Sequence, residues 1–359
     1  MIAIDGSTGE GGGQIIRSAL ALAIATGKEV TIFNVRAKRA KPGLQPQHLV
    51  AVKAAAEICH AQVQGNVLGS TEVVFRPGPI VAGNYTWDIG TAGSTSLVLQ
   101  TVLLPLLLAG QPSTVTIIGG THNPLAPTFE FLRDSFFNEL RKMGATVESE
   151  ILRQGFYPRG GGRVVFHIPG NWQPCPYHLE ERGNLRQYSV SILLARLPRT
   201  IAVRERDTFL RLCDWGDPQI NIDILDDAFG PGNAITVTME HDNVTAVFSS
   251  IGERKKPSEV VAEEAWRQTA DYLAHDAPVE PHLADQLLLP GAWAAACGVP
   301  FSFRTVPLSS HGVTHAQLIE TFLPVRVELI NQPAGTVTVR LCPANNPEKD
   351  SGVARNRQP

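Results

Sequence analysis

Cysteine is scarce in this 359-residue chain, and the five present, Cys59, Cys175, Cys213, Cys297 and Cys342, are odd in number and form no CxxC pair. Neither a disulfide framework nor a zinc site is indicated, and a reducing compartment is the simpler reading. A basic excess is missing too: 31 Lys and Arg against 34 Asp and Glu leave a net charge of −3. That argues against a broad face for duplex nucleic acid, so any nucleic-acid contact is expected to be local, at an end or a loop. No long apolar run occurs either. The most apolar stretch, Leu97 to Ala109, is 13 residues long and contains Pro105, too short to span a bilayer. The opening MIAIDGST has no basic segment followed by an apolar one, so no signal peptide is visible and a cytoplasmic location is expected.

What is there is a soluble globular composition, 43% hydrophobic and 18% charged, with length enough for two domains. The segment QIIRSALALAIATG reads as a helix with Ile15, Ile16, Ala19, Leu20 and Ala23 facing inward and Gln14, Arg17 and Ser18 on a polar stripe. The strand EVTIFNV, the helix QPQHLVAVKAAAEIC and the strand TEVVFRPG follow. This order returns roughly 80 residues later with GSTSLVLQTVLLPLLLAG, STVTIIGG, PTFEFLRDSFFNELRKMG and GGGRVVFHI. A weaker third copy starts at HLADQLLLPGAWAAACG and runs on through PFSFRTV, HAQLIETF and GTVTVRL.

About 90 residues between the second and third copies break the pattern. Here SVSILLARL reads as a strand and RTIAVRERDTFLRLC as a strand running into a helix. NAITVTME and NVTAVFSSI form a hairpin around His241, Asp242 and Asn243, and PSEVVAEEAWRQTADYL is a helix opened by Pro257. The expectation is an α/β (α+β) fold of three similar units. Residues 1–185 hold the first two, 186–277 an inserted α/β domain, 278–341 the third, and 342–359 a disordered tail.

Three clusters carry candidate chemistry. The loop GSTGEGGGQIIR places Glu10 where a phosphate loop needs a lysine, so the GxxxxGK[ST] pattern fails. Small residues still let backbone amides approach an anion at a helix N-terminus, with Arg17 one turn in; Glu10 would then need a cation, which a divalent metal bridging it to phosphate supplies. The alternative is a tight turn with a solvated glutamate. In VRAKRAKPG an extended chain would put Arg36 and Lys38 on one face and leave Arg39 and Lys41 another, so one pair could meet a phosphate; a solvated turn is the alternative. In PLSSHGVTHAQLIE, Thr314 and Gln317 stand in the relation that marks a helix start, which puts His311 three residues before the N-cap. A helix N-terminus disfavours imidazolium and leaves a ring nitrogen free to attack phosphorus; a structural role is the alternative. Pro127 and Phe131 offer an apolar rim for a purine, and Asp285 and Gln286 partners for base or ribose, unless both segments are merely helix starts.

Taken together, IDGSTGEGGGQIIRSALAL, VRAKRAKPGLQPQHL, GSTSLVLQTVLLPL, GGTHNPLAP, GFYPRGGG, LADQLLLP and SSHGVTHAQLIETFLPV resemble, in order, the RNA 3′-terminal phosphate cyclase family. The resemblance implies an enzyme that takes AMP from ATP on a histidine, passes it to an RNA 3′-phosphate and releases it as a 2′,3′-cyclic phosphate forms. It puts the nucleophile at His311, the metal-contacting carboxylate at Glu10 with Mg²⁺ or Mn²⁺, and phosphate contacts at Arg17, Arg39 and Gln47. Nucleotide contacts fall on Gln100, Pro127, Phe131 and the segment His282, Leu283, Ala284, Asp285 and Gln286. His282 departs from the family, where a tyrosine often precedes LADQ. The implied partners are ATP and an RNA bearing a 3′-terminal phosphate, with no membrane and a possible homodimer. The implied architecture is three sheet-plus-two-helix units, like the C-terminal domain of translation initiation factor three, with a thioredoxin-like insert. Two rivals are a non-catalytic RNA-processing relative, which would lack His311, and a carboxyvinyl transferase, which would work on phosphoenolpyruvate without ATP.

Overall fold

A computed structural model describes residues 1–213, 215 and 218–344. The first 76 residues give β1 (Ile2–Asp5), α1 (Gly13–Thr26), β2 (Val30–Phe33), α2 (Pro46–Glu57), β3 (Gln62–Gln64) and β4 (Val73–Arg76). Then follow β5 (Asn84–Asp88), α3 (Thr95–Leu107), β6 (Ser113–Gly119), a π-helical segment Phe131–Phe136 running into α4 (Phe137–Lys142), β7 (Glu148–Arg153) and β8 (Gly162–Ile168). After β9 (Tyr177–Leu179) come β10 (Leu185–Ala195), α5 (Thr200–Leu212), β11 (Ile220–Leu225), β12 (Gly232–His241), β13 (Thr245–Ile251) and α6 (Ser258–Leu273). The chain closes with α7 (Pro281–Ala296), β14 (Phe301–Thr305), α8 (Ser310–Phe322), β15 (Val325–Asn331) and β16 (Val337–Pro343).

These strands make four four-stranded mixed sheets. Three share one pairing plan: the first strand lies parallel to the second, and the second and third both run antiparallel to the fourth. The orders are β1-β2-β4-β3, β5-β6-β8-β7 and β9-β14-β16-β15. In the remaining sheet, β11-β10-β12-β13, the first strand in sequence takes an inner place.

Apolar periodicity decides what each helix buries. In α1, Ile15, Ile16, Ala19, Leu20 and Ala23 are buried as their spacing predicts, and the helix stops at Gly27, whose left-handed φ of 67° suits a residue without Cβ. The apolar run that is too short for a membrane forms most of α3, nearly all of it buried. No helix among the described residues is long and apolar enough to cross a membrane. One large core joins α1, α2, α3 and α7 to the three like-patterned sheets, whereas β10, β12, α5 and α6 share a second.

Two readings of the sequence change here. RTIAVRERDTFLRLC has no strand, because Ala202, Glu205 and Phe209 recur at helical spacing on the buried face of α5 and outweigh its β-branched start. The sheet expected to begin at HLADQ takes its first strand from β9, three residues long and far upstream, too short to show as periodicity. At the other end β16 runs to Pro343; the rest of the expected tail, 345–359, lies outside the described residues.

One buried carboxylate stands out in the second core. Glu205 on α5 is 0% exposed; its Oε1 accepts from the Asn233 amide of β12 and its Oε2 has no hydrogen-bond partner. Burial pushes the carboxyl up from its ordinary 4.5 to about 8, so the folded chain holds a proton that the unfolded chain gives up. Stability contributed this way is complete below about pH 4.5 and drains as pH rises through 8. Glu205→Gln is therefore expected to flatten the pH dependence of denaturant midpoints between pH 5 and 8 and to raise the midpoint at pH 8. An unchanged slope would show the carboxylate to be ionised in the fold.

Candidate active site

The glycine loop between β1 and α1 starts as a side-chain-closed turn. Asp5 Oδ1 accepts from the Ser7 amide at 2.9 Å, the Ser7 hydroxyl at 2.8 Å and Asn34 Nδ2 at 3.2 Å. Two glycines are dictated by close approach. A Cβ on Gly9, whose φ is +57°, would lie 2.2 Å from Thr314 Oγ1 of α8, and one on Gly13 would lie 2.4 Å from His48 Nε2 and 2.8 Å from Arg17 Nη1. The loop is thus pressed between α8 on one side and α2 on the other.

Glu10 sits at the tip. Its Oε1 accepts from Ser310 Oγ at 2.7 Å, its Oε2 lies 2.7 Å from His311 Nε2, and Arg39 Nη2 is 3.7 Å away. The Ser310 bond first, then the His311 bond, hold the Glu10 carboxyl below the ordinary carboxylate range. An ionised carboxylate only accepts, so in this arrangement Nε2 of His311 carries the hydrogen. His311 is the second residue of α8 rather than lying before its cap. Ser309 takes the N-cap, accepting from the Gly312 amide at 3.1 Å, while Thr314 Oγ1 turns back to donate to the Ser310 carbonyl at 2.9 Å.

Behind Glu10 lies Arg17. Its Nε donates to Gln100 Oε1 at 3.1 Å, and Gln100 Nε2 donates to Gln286 Oε1 at 2.7 Å, so one relay crosses α1, α3 and α7. No carboxylate among the described residues pairs with Arg17, and burial lowers its guanidinium to about 10. His48 is held down to about 3, by burial first and then by Arg17 and Arg36. Gln47 of α2 holds the residue that caps α3: its Oε1 accepts the Ser94 amide at 2.7 Å. Ser94 Oγ in turn bonds Ser96 Oγ, which donates to the Pro127 carbonyl, 2.7 Å each. Asp285 is pushed up to about 6 by burial, against the pull of His311, and its Oδ1 is buried without a partner.

Glu10, Arg39, His311, Arg17, Gln100 and Gln286 are therefore gathered at one loop and the relay behind it. Leu283 and Ala284 are buried in the core of α7, Phe131 is 5% exposed and packs in the main core, and His282 is exposed at the start of α7. The basic run is not extended. It makes two consecutive turns, with Ala37 N bonding the Asn34 carbonyl and Arg39 N the Arg36 carbonyl, at 3.1 and 3.0 Å. Arg36, at φ 54°, spends its guanidinium on the carbonyls of Lys41 and Gly43 at 2.6 and 2.9 Å, which staples the loop and leaves Arg39 facing Glu10.

Ser310, His48 and His315 join the site without belonging to the candidate set read from the sequence. His315 is one helical turn beyond His311, a spacing that could have found it; Ser310 and His48 gave no signal of their own. His315 is buried, with Nε2 3.0 Å from Ser18 Oγ and Nδ1 without a partner. Burial holds it down from 6.5 to about 4. A depressed histidine favours the fold above its unfolded pKa, and that contribution drains as pH falls from about 6.5 to about 4. Against wild type, His315→Gln should lose less stability between pH 7 and 4.5, by on the order of 3 kcal/mol, in denaturant titrations. Equal losses would place the ring in a polar, hydrated setting.

A divalent ion would find Glu10 and the Ser310 hydroxyl, and among the described residues no group of three or more His, Cys, Asp or Glu to enclose it. That donor set fits an ion of the Mg²⁺ kind, which keeps waters and shares phosphate oxygens.

A model of the family described as RNA 3′-terminal phosphate cyclase matches residues 8–329. The chain is 45% identical over 329 residues to an RNA 3′-terminal phosphate cyclase of Pseudomonas fluorescens, covering 91% of this chain and 94% of that one. Among solved structures, EPSP synthase from Acinetobacter baumannii is 13% identical and aligns with a TM-score of 0.25 over 61% of this chain and 56% of that chain. With a family model spanning most of its length and a relative this similar, the chain belongs to the RNA 3′-terminal phosphate cyclase family.

Proposed function

We propose that the protein uses ATP to convert the 3′-terminal phosphate of an RNA to a 2′,3′-cyclic phosphate, with His311 as the nucleophile. The observation that carries this reading is the convergence of His311, Glu10 and Arg39 at the tip of the glycine loop, backed by Arg17, which meets no carboxylate among the described residues. With its proton passed from Nε2 to Nδ1 through solvent, His311 forms a bond from Nε2 to the α-phosphorus of ATP as pyrophosphate leaves. A 3′-phosphate oxygen of the RNA then takes the AMP and frees the imidazole. Last, the 2′-hydroxyl attacks the 3′-phosphorus, losing its proton, and AMP leaves.

The chain's own residues divide the work. Glu10 orients the ring and accepts its hydrogen bond; Arg39 and Arg17 offset charge on the phosphates. A divalent ion held by Glu10 would neutralise phosphate charge and draw the carboxylate away from Nε2. Gln47, Gln100, Pro127, Phe131 and the segment from His282 to Gln286 are proposed to line the nucleotide site. The three like-patterned sheets with their helices are proposed as three copies of one unit, and residues 186–277 as a thioredoxin-like insert.

His311→Ala should abolish transfer of label from [α-³²P]ATP to the protein; an acid-labile adduct persisting in that variant would rule the residue out. Arg39→Ala should slow both labelling and cyclisation by about 10- to 100-fold. Its cost in stability should be small, under about 1 kcal/mol, because the ion pair with Glu10 is half exposed. A collapse of the melting temperature would make the basic turn structural instead. Turnover with phosphoenolpyruvate and no ATP would favour the carboxyvinyl transferase.

A further inference from the structure

At the end of the second sheet where β5 and β6 finish and β8 begins, three large apolar side chains stand in solvent: Leu125 at 101%, Tyr157 at 73% and Phe229 at 55% exposure. Single exposed apolar residues are ordinary, but these come from loops that touch one another. Phe229 lies on Gly161, where a Cβ would come within 2.1 Å of its ring, and the Arg153 guanidinium covers that ring at 3.8 Å from the centroid while donating to the Gly161 carbonyl at 2.7 Å. The stem of Arg159 packs on Gly230, 2.7 Å from where a Cβ would be. Leu125 is held outward by a backbone φ of 61°, which a leucine rarely adopts. Its loop leaves β6 beside the Tyr157 loop, the His122 amide bonding the Gly155 carbonyl at 3.3 Å.

The platform is anchored from beneath. Phe156 packs with Leu193, Ala195, Ala228, Ala234 and Ile251, a small core of its own that fixes the Tyr157 loop against the Phe229 loop. It is also continuous with the candidate site. A Cβ on Gly160 would lie 2.8 Å from Ala92 Cα, one on Gly93 would lie 3.0 Å from Gln47 Cβ, and the Ser94 amide bonds Gln47.

The open ring of Tyr157 beside a phenylalanine capped by an arginine plane suits the bases and phosphates of an unpaired strand, since bases stack on guanidinium planes as on aromatic rings; in a duplex those base faces are already stacked on one another. No carboxylate among the described residues pairs with Arg153 or Arg159; Arg153 spends its Nε on the Gly161 carbonyl and its face on Phe229, which leaves its terminal nitrogens and the Arg159 guanidinium for phosphate. Asp226 and Asp227 precede Phe229 on the same exposed turn, so the positive charge offered to a phosphate comes from the arginines alone. A footprint this local agrees with a chain of net charge −3. We propose that Tyr157 and Phe229, with Arg153 and Arg159, form a stacking platform for the unpaired RNA nucleotides immediately 5′ of the terminal phosphate. This rests on the reading of the neighbouring site as the place where that phosphate reacts.

The test is fluorescence anisotropy with an unpaired ten-nucleotide RNA ending in 3′-phosphate, the matching dinucleotide and a blunt duplex of the same sequence. Tyr157→Ala should weaken binding of the ten-mer about fivefold or more, with Phe229→Ala adding to the loss. Tyr157→Phe should restore it, and the dinucleotide should respond much less. Arg159→Ala should lower the salt slope by about one. Should Phe229→Ala lower the melting temperature, the exposed Tyr157 decides alone. Ten-mer affinity unchanged within twofold in Tyr157→Ala, no binding by wild type, or equal losses for the duplex would each overturn the platform. Wild-type binding that depends on Tyr157 but yields no cyclic product with ATP would instead sink the proposed reaction and leave the platform standing.

Discussion

A half-buried guanidinium needs acceptors, and among the described residues Arg17 finds a single one, the side-chain oxygen of Gln100. That constraint organises the centre of the molecule. Gln100 can offer its oxygen to α1 only if its amide nitrogen is satisfied elsewhere, and Gln286 on α7 supplies the acceptor. Three helices, α1 and α3 directly after the first strand of their sheets and α7 only after the whole stretch from β10 to α6, are therefore held in register by one polar thread through an otherwise apolar junction. A half-buried cation without a carboxylate has little to offset its lost hydration. His48 and His315 beside it are both pushed toward their uncharged forms, so the positive charge is not compounded. Under the proposed reaction, this uncompensated charge is what a phosphate would meet.

Glu10 answers the question posed by a phosphate-type loop with no lysine. It binds the first turn of α8 through Ser310 and His311, and so closes the chain's beginning onto a segment 300 residues later. The same contacts occupy Nε2 of His311, the nitrogen proposed to react. Imidazole and carboxylate form one unit, and what displaces the carboxylate also exposes the ring.

The sequence made the helices legible because their apolar spacing is strong, and the motifs around Glu10, Arg17 and His311 were readable as a set. Less was visible wherever a side chain serves the backbone. Arg36 looks like Arg39 in the sequence, yet it staples a turn through two carbonyls. Ser309 and Thr314 compete for the cap of α8, and only the geometry of their hydroxyls shows that Ser309 prevails. Glu205 carries helical periodicity as though it were apolar, which in its raised, proton-holding state it nearly is. Short strands such as β9 have no period to read at all.

That short strand has a consequence for how the chain is made. β9 pairs with β14, whose first residue, Phe301, emerges from the ribosome more than a hundred residues after Leu179. Everything from β10 to α7 must be synthesised before the third sheet can close. The ordering entropy of so wide a loop grows only slowly with its length, but its closure is slow compared with local pairing. The carboxylate at residue 10 thus waits, through almost the entire birth of the polypeptide, for the imidazole it will hold.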